Sequence, residues 1–273
     1  METLPLPQKI EYKKDDKNEN KGEIIIEPCF PGYGTTWGNA LRRVLLSSLA
    51  GGAVTAVKIR GVKHEFSTIP FVKEDVLEII LNLKQLRMKI FSDEEIRLSL
   101  KAEGEKKIYA KDIEKNSQVE IANPDLLIAT LTDKKAKFEA EIFVKKGIGY
   151  VPVEEKKNEE REVGKILIDS IFTPIRNVGL KIENVRVGEK TNFDRLTIPI
   201  ETDGTITPLE AFIQSAELLK DQFSYIAKGA KSLIGLALKE KEEREERKEK
   251  KEKKEKKEKK EKKTKTKKKK TKK

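Results

Sequence analysis

The chain has almost no cysteine and almost no histidine: Cys29 and His64 are the single copies in 273 residues. One cysteine excludes a disulfide within the chain, and one of each excludes structural zinc of the usual Cys/His kind. A lone histidine cannot by itself build a catalytic triad. Long apolar runs are missing as well. The most apolar uncharged stretch, residues 44–57, is interrupted by two serines and two glycines and falls short of the ~20 residues that span a bilayer. The opening residues, METLPLPQKI, lack a basic leader followed by an apolar run. These absences lead us to expect a cytoplasmic protein that meets no membrane.

Charge is abundant but unevenly placed. The formal net charge is +12, and residues 239–273 alone hold 22 Lys or Arg against 10 Glu. The remaining body is neutral, so its net charge gives no argument for nucleic-acid binding. Acidic pairs such as Asp15–Asp16, Glu94–Glu95, Glu154–Glu155 and Glu159–Glu160 sit in polar sequence and read as solvated loops. None has the apolar surroundings that raise a carboxyl pKa for general acid work. We therefore expect no catalytic residue and no metal site in this chain.

Coarse patterning gives an α+β fold. Residues 23–27 (EIIIE) read as a strand ended by Pro28, and a helix follows over about 36–49, stopped by Gly51 and Gly52. HEFST, from His64, reads as a strand. Residues 72–84 show Val72, Val76, Ile79, Ile80 and Leu83 at helical spacing. Alternating segments then make a strand-rich block to about Tyr150. Residues 154–162 read as a charged loop. LKIENVRV and DRLTIPIET form an antiparallel pair before a turn at Asp203–Gly204. Thr207, Pro208 and Glu210 form a capping box that opens a long helix. Along it Phe212, Ala216, Leu219, Phe223, Ile226, Ala230 and Leu233 alternate steps of four and three, the 3.5-residue period of a helix seam. An ordinary helix on a sheet fits the same spacing. The layout reads as a domain of residues 1–50 and 175–236, interrupted by a strand-rich insertion at 51–174, with a low-complexity tail at 237–273.

The most informative stretch is PGYGTTWGNALRRVLLSSLAGG, residues 31–52. Gly32-x-Gly34-x-x-x-Gly38 has one residue too many before its last glycine for a dinucleotide fingerprint, and reads as a turn with close packing. On the helix, Trp37, Leu41, Val44, Leu45 and Ser48 share one face, and Asn39, Arg43, Leu46 and Ser47 another. A cationic strip mixed with leucine fits a protein interface; a solvated arginine pair is the plainer alternative.

These residues also carry a resemblance. GYGTTWGNALRRVLLSSLAGGAVTAVKIRGVKHEFSTI, EDVLEIILNLK, GIGYVPV and TDGTITPLEAF occur in order over about residues 8–236. The set resembles the α subunit of bacterial-type DNA-directed RNA polymerase. The resemblance implies a dimerisation domain interrupted by an inserted domain. It implies a homodimer that scaffolds assembly of the β and β′ subunits, and a nucleotidyltransferase only as part of that complex. Across the two-fold, Trp37, Leu41, Val44 and Leu45 would meet Phe212, Ala216, Leu219, Phe223 and Ile226. The β and β′ contacts would fall on Arg43, Leu46 and Ser47, on Glu74, Asp75, Glu78 and Lys84, on Ile168 and Asp169, and on Arg186, Lys190 and Asp194. The catalytic magnesium would belong to β′, so this chain would hold no cofactor.

The resemblance also implies a compact C-terminal DNA-binding domain, and we expect the Lys/Glu tail to stand in its place. Glu249, Glu252, Glu255 and Glu258 each have a lysine four residues on, which supports a fluctuating helix. Residues 248–273 carry 18 basic and 5 acidic side chains, enough to bind polyphosphates without sequence preference, or only to keep the chain soluble. A free-standing nucleic-acid-binding protein acting through this tail is the rival reading.

Overall fold

Two separate sets of buried apolar side chains organise the chain. A computed structural model describes residues 4–156 and 164–233. In chain order come β1 (Lys9–Lys14), β2 (Lys21–Cys29), helix α1 (Tyr33–Ser47), β3 (Ala50–Ile59) and helix α2 (Val76–Lys84). Then follow β4 (Met88–Ile90), β5 (Ile96–Glu103), β6 (Lys107–Tyr109), β7 (Val119–Ile121), β8 (Leu127–Thr130), β9 (Lys137–Ile148) and β10 (Tyr150–Val151). β11 (Lys165–Leu167), β12 (Ser170–Ile171), β13 (Ile175–Val178), β14 (Lys181–Val187) and β15 (Lys190–Thr202) lead to a last helix that starts at residue 208. The chain divides into units 1–219 and 220–273. In the second, residues 220–233 are helical with every side chain exposed.

The first core belongs to a sheet ordered β1-β2-β15-β13, with β14 also on β15. Strand periodicity puts Ile24 and Ile26 of β2 on one face with Leu196, Ile198 and Ile200 of β15. Helix α1 lays Leu41 and Leu45 across them, Leu49 joins them from the link to β3, and Ala211 of the last helix packs into the same core. Burying a leucine of this kind contributes about 1.5–3 kcal/mol. The helix comes close to the sheet because Gly38 has no side chain: a Cβ there would stand 2.3 Å from Leu180 Cδ1. The second core lies under a sheet ordered β5-β9-β3-β4-β7, with β11 on β3. Its α2 face supplies Val76, Ile79, Ile80 and Leu83. All strand pairings are antiparallel. The fold is α+β, and the chain leaves the first core after Leu49, builds the second through Ile168, and returns at Ile175.

Several local expectations need correction. The strand β2 runs through Pro28 to Cys29; the Glu27–Pro28 bond is cis, and pairing with β15 shifts register there. Helix α1 ends at Ser47, and Gly51 and Gly52 lie inside β3 rather than stopping the helix. They are needed for backbone approach, since a Cβ on Gly51 would stand 2.0 Å from the Phe172 carbonyl oxygen. The HEFST segment is not a strand, and His64 is an exposed loop residue beside Ser67 Oγ at 3.2 Å. Helix α2 begins at Val76, four residues later than the apolar spacing suggested, because Asp75 caps it by accepting from Glu78 N–H at 2.7 Å. Glu95 is not simply solvated: it accepts from Thr55 Oγ1 at 2.8 Å and pairs with Lys165 at 3.1 Å. The Thr207–Glu210 capping box forms as expected, at 3.2 and 3.0 Å. So does the β14–β15 hairpin. The rest of the 154–162 loop beyond Lys156, and the helix expected in the tail, lie outside the described residues.

Candidate protein-interaction face

Helix α1 is anchored at its start by a residue far away in sequence. Gly32, at φ +82°, turns the chain into the helix. Its N–H and that of Gly34 donate to Asp194 Oδ2 at 2.9 and 3.1 Å. A carboxylate there satisfies free N–H groups and complements the positive end of the helix. The anchored helix buries Leu41 and Leu45 and leaves Arg42, Arg43, Leu46 and Ser47 outward. Ser47 Oγ donates back to the Arg43 carbonyl at 2.7 Å, and among the described residues neither arginine side chain has a hydrogen-bond or ion-pair partner.

The expected interface residues separate into outward and inward sets. Asp75, Glu78, Arg186 and Lys190 are exposed. Glu74, Ile168 and Asp194 are not surface contacts. Glu74 is buried and accepts from Thr130 N–H at 2.6 Å; Ile168 lies in the second core; Asp194 is the α1 anchor. On the face expected to dimerise, Leu41 and Leu45 are likewise consumed by the chain's own core, Leu45 completely. Trp37 and Val44 are half-buried. Phe212, Ala216 and Leu219 pack partly on the first core. Phe223 and Ile226 are exposed.

An aromatic run was missed by sequence reasoning. Phe193, Phe30, Tyr33 and Trp37 meet edge to face in succession, with ring centroids 6.2, 6.0 and 5.3 Å apart. The spacing of Tyr33 and Trp37 was readable as i, i+4; Phe193 arrives only through β15.

Three of the expected patches adjoin. The last turn of α1 lies against Gly149, whose Cβ would be 3.5 Å from the Ser47 carbonyl oxygen. Gly149 O accepts from Phe172 N–H at 2.8 Å, and β10 pairs with β12 through Tyr150–Ile171 and Val151–Ser170. From that ladder Asp169 reaches Lys84 at the end of α2, 2.7 Å away, and accepts from Val153 N–H at 3.0 Å. The Lys84 hydrogen bond, then the Val153 N–H, hold the Asp169 carboxyl below the usual range. On α2, Leu77 and Leu81 stand exposed beside Glu78.

A family model described as the RNA polymerase Rpb3/RpoA insert domain matches residues 57–173. A DNA-directed RNA polymerase subunit alpha from Symbiobacterium thermophilum is 53% identical over 213 residues, 78% of this chain and 67% of that protein. The chain belongs to the DNA-directed RNA polymerase alpha-subunit family. A second alpha subunit, from Carboxydothermus hydrogenoformans, is 45% identical over 86% of this chain and 75% of its own. The 57–173 match covers almost the whole second core, from the end of β3 through β12.

Among the described residues no cluster of three or more His, Cys, Asp or Glu side chains is arranged to hold a metal. Cys29 is fully buried, its Sγ directed at the Ile26 carbonyl, and burial pushes its thiol pKa up, away from reactivity. Among the described residues no helix is long and apolar enough to cross a membrane.

Proposed function

We propose that this chain is a non-catalytic assembly subunit of DNA-directed RNA polymerase. Two copies pair through Trp37 and Val44 of α1 and the last helix, including Phe223 and Ile226. One protomer docks β and the other β′, using identical surfaces differently. Domain boundaries near residues 50 and 175 divide the labour: the first core dimerises, and the second adds docking surface. The observation that supports this reading best is the α1 strip of Arg42, Arg43 and Leu46, held on a rigid helix with both guanidinium groups unpaired among the described residues. An exposed arginine on the same helix face as an exposed leucine, and without a partner among the described residues, suits a carboxylate on a partner. The catalytic magnesium lies with β′. The subunit works in the cytoplasm, on the nucleoid once assembled. The tail, with its excess lysine, adds salt-sensitive affinity for DNA without sequence preference.

The test is co-purification of the β subunit with the full chain, wild type against Arg43→Ala. Wild type captures β and the variant loses it while staying dimeric. Capture by neither protein overturns the assembly role. Capture by both removes Arg43 from the interface.

A further inference from the structure

The node at Asp169 joins the end of α2 to the segment that leads into β12 and to Val153 just after β10. Its Oδ2 accepts from Lys84 Nζ at 2.7 Å, and its Oδ1 accepts from the Val153 N–H at 3.0 Å. The residues on either side of it are pinned from beneath. Buried Lys156 donates to the Ile168 carbonyl, to Ser170 Oγ at 2.6 Å and to the Thr55 carbonyl at 3.3 Å, while Ser170 Oγ donates to the Val54 carbonyl at 2.7 Å. Segment 168–170 is therefore fixed to β3 below and leaves only the Asp169 carboxylate to reach sideways. That carboxylate meets the single lysine of the last turn of α2, where a positive charge also suits the helix C-terminus.

Both side chains are mostly covered, with 26% and 29% of their surfaces exposed. Each is already engaged: the ammonium by Asp169, and the carboxylate by Lys84, the Val153 N–H and the Tyr150 side chain. The outward groups nearby are Leu77, Glu78 and Leu81 on α2 and Tyr150 on β10. We propose that Lys84 and Asp169 are positioning residues, whose ion pair locks the end of α2 to the β10–β12 ladder so that the α1, ladder and α2 patches form one docking face, and that neither side chain contacts the partner subunit. This rests on the assembly role proposed above. It reassigns two residues from contact to support, and Leu77, Leu81 and Tyr150 take over as the groups that touch.

The test uses the full chain as wild type, Lys84→Met, Asp169→Asn, the double variant and Lys84→Arg. The first readout needs no partner: amide hydrogen exchange of the isolated chain. Lys84→Met and Asp169→Asn each raise exchange at Val153 and in the last turn of α2 about tenfold, and Lys84→Arg restores protection. Unchanged exchange overturns the clamp whether or not the chain assembles with polymerase. The second readout is capture of β and β′. The single variants weaken capture about tenfold, and the double variant is no worse than either, because removing one partner already breaks the pair. Losses that multiply in the double variant overturn the proposal, since independent contacts behave that way. If wild type captures neither subunit, the assembly role fails, and the exchange data still decide the clamp.

Discussion

The carboxylate of Asp194 closes on the N–H of Gly34 at 3.1 Å across 160 residues of chain. It ties the start of α1 to β15, so the strip carrying Arg43 is set by a strand that the chain reaches only after completing the second core. Asp194→Ala leaves two N–H groups without their acceptor in a buried site. It is expected to cost about 1–3 kcal/mol. For a chain of this size that lowers Tm by roughly 3–10 °C in thermal unfolding. Asp194→Asn, which keeps one acceptor oxygen, costs less. An unchanged Tm in the alanine variant would mean the anchor contributes nothing.

Gly51 and Gly229 predict opposite outcomes for the same substitution. A Cβ on Gly51 meets the backbone carbonyl of Phe172, which cannot rotate away, so Gly51→Ala forces β3 and the ladder apart. The expected loss is about 1–3 kcal/mol in urea unfolding. Gly229 lies in a helix with no atom within 4 Å of where its Cβ would stand. Gly229→Ala should be neutral or should raise local helix stability by about 1 kcal/mol, read as slower amide exchange around it.

Glu27 gives a pH signature. Its carboxyl is held below the usual range by the hydrogen bond from Arg195, with burial opposing. A carboxylate lowered in the folded state contributes stability that is present above its unfolded pKa of ~4.3 and is lost as pH falls through the folded value. Glu27→Gln should therefore lower the urea midpoint near neutral pH, and the difference from wild type should shrink as pH falls below the unfolded pKa of ~4.3. An equal loss at both pH values would assign the effect to packing.

Phe223→Asp tests the pairing of two copies more cleanly than a change at Leu219. Leu219 packs partly on the first core of its own chain, whereas Phe223 is 61% exposed. The variant should fold normally and sediment with the mass of one 31.2 kDa chain, while wild type sediments as two. A variant that stays dimeric removes Phe223 from the seam.

Much of this was legible in one dimension because it is local. The capping box at Thr207, the β14–β15 hairpin and the apolar faces of α1 and α2 all follow from periods and caps a few residues long. Where local reading failed, a distant group had intervened. Gly51 looked like a helix stop and is a contact point for Phe172. Val72 looked helical by spacing, yet Asp75 supplies the cap three residues later. Phe193 joined the aromatic run only through strand pairing.

The sequence by itself determined the fold class, the neutral body with its basic tail, and the outward place of Arg43, since each depends on residue type or on local spacing; the family followed from its resemblance over four motifs in order. Only the tertiary structure decided which charged residues are engaged by the chain itself. Glu74, Asp169 and Asp194 carry the same carboxylate as exposed Glu78, and nothing in their immediate sequence distinguishes them. What does is the partner each finds: Thr130 N–H for Glu74, Lys84 and Val153 N–H for Asp169, Gly32 and Gly34 N–H for Asp194. A carboxylate leaves water only where donors are already in place to replace it, and those donors come from elements brought near by packing.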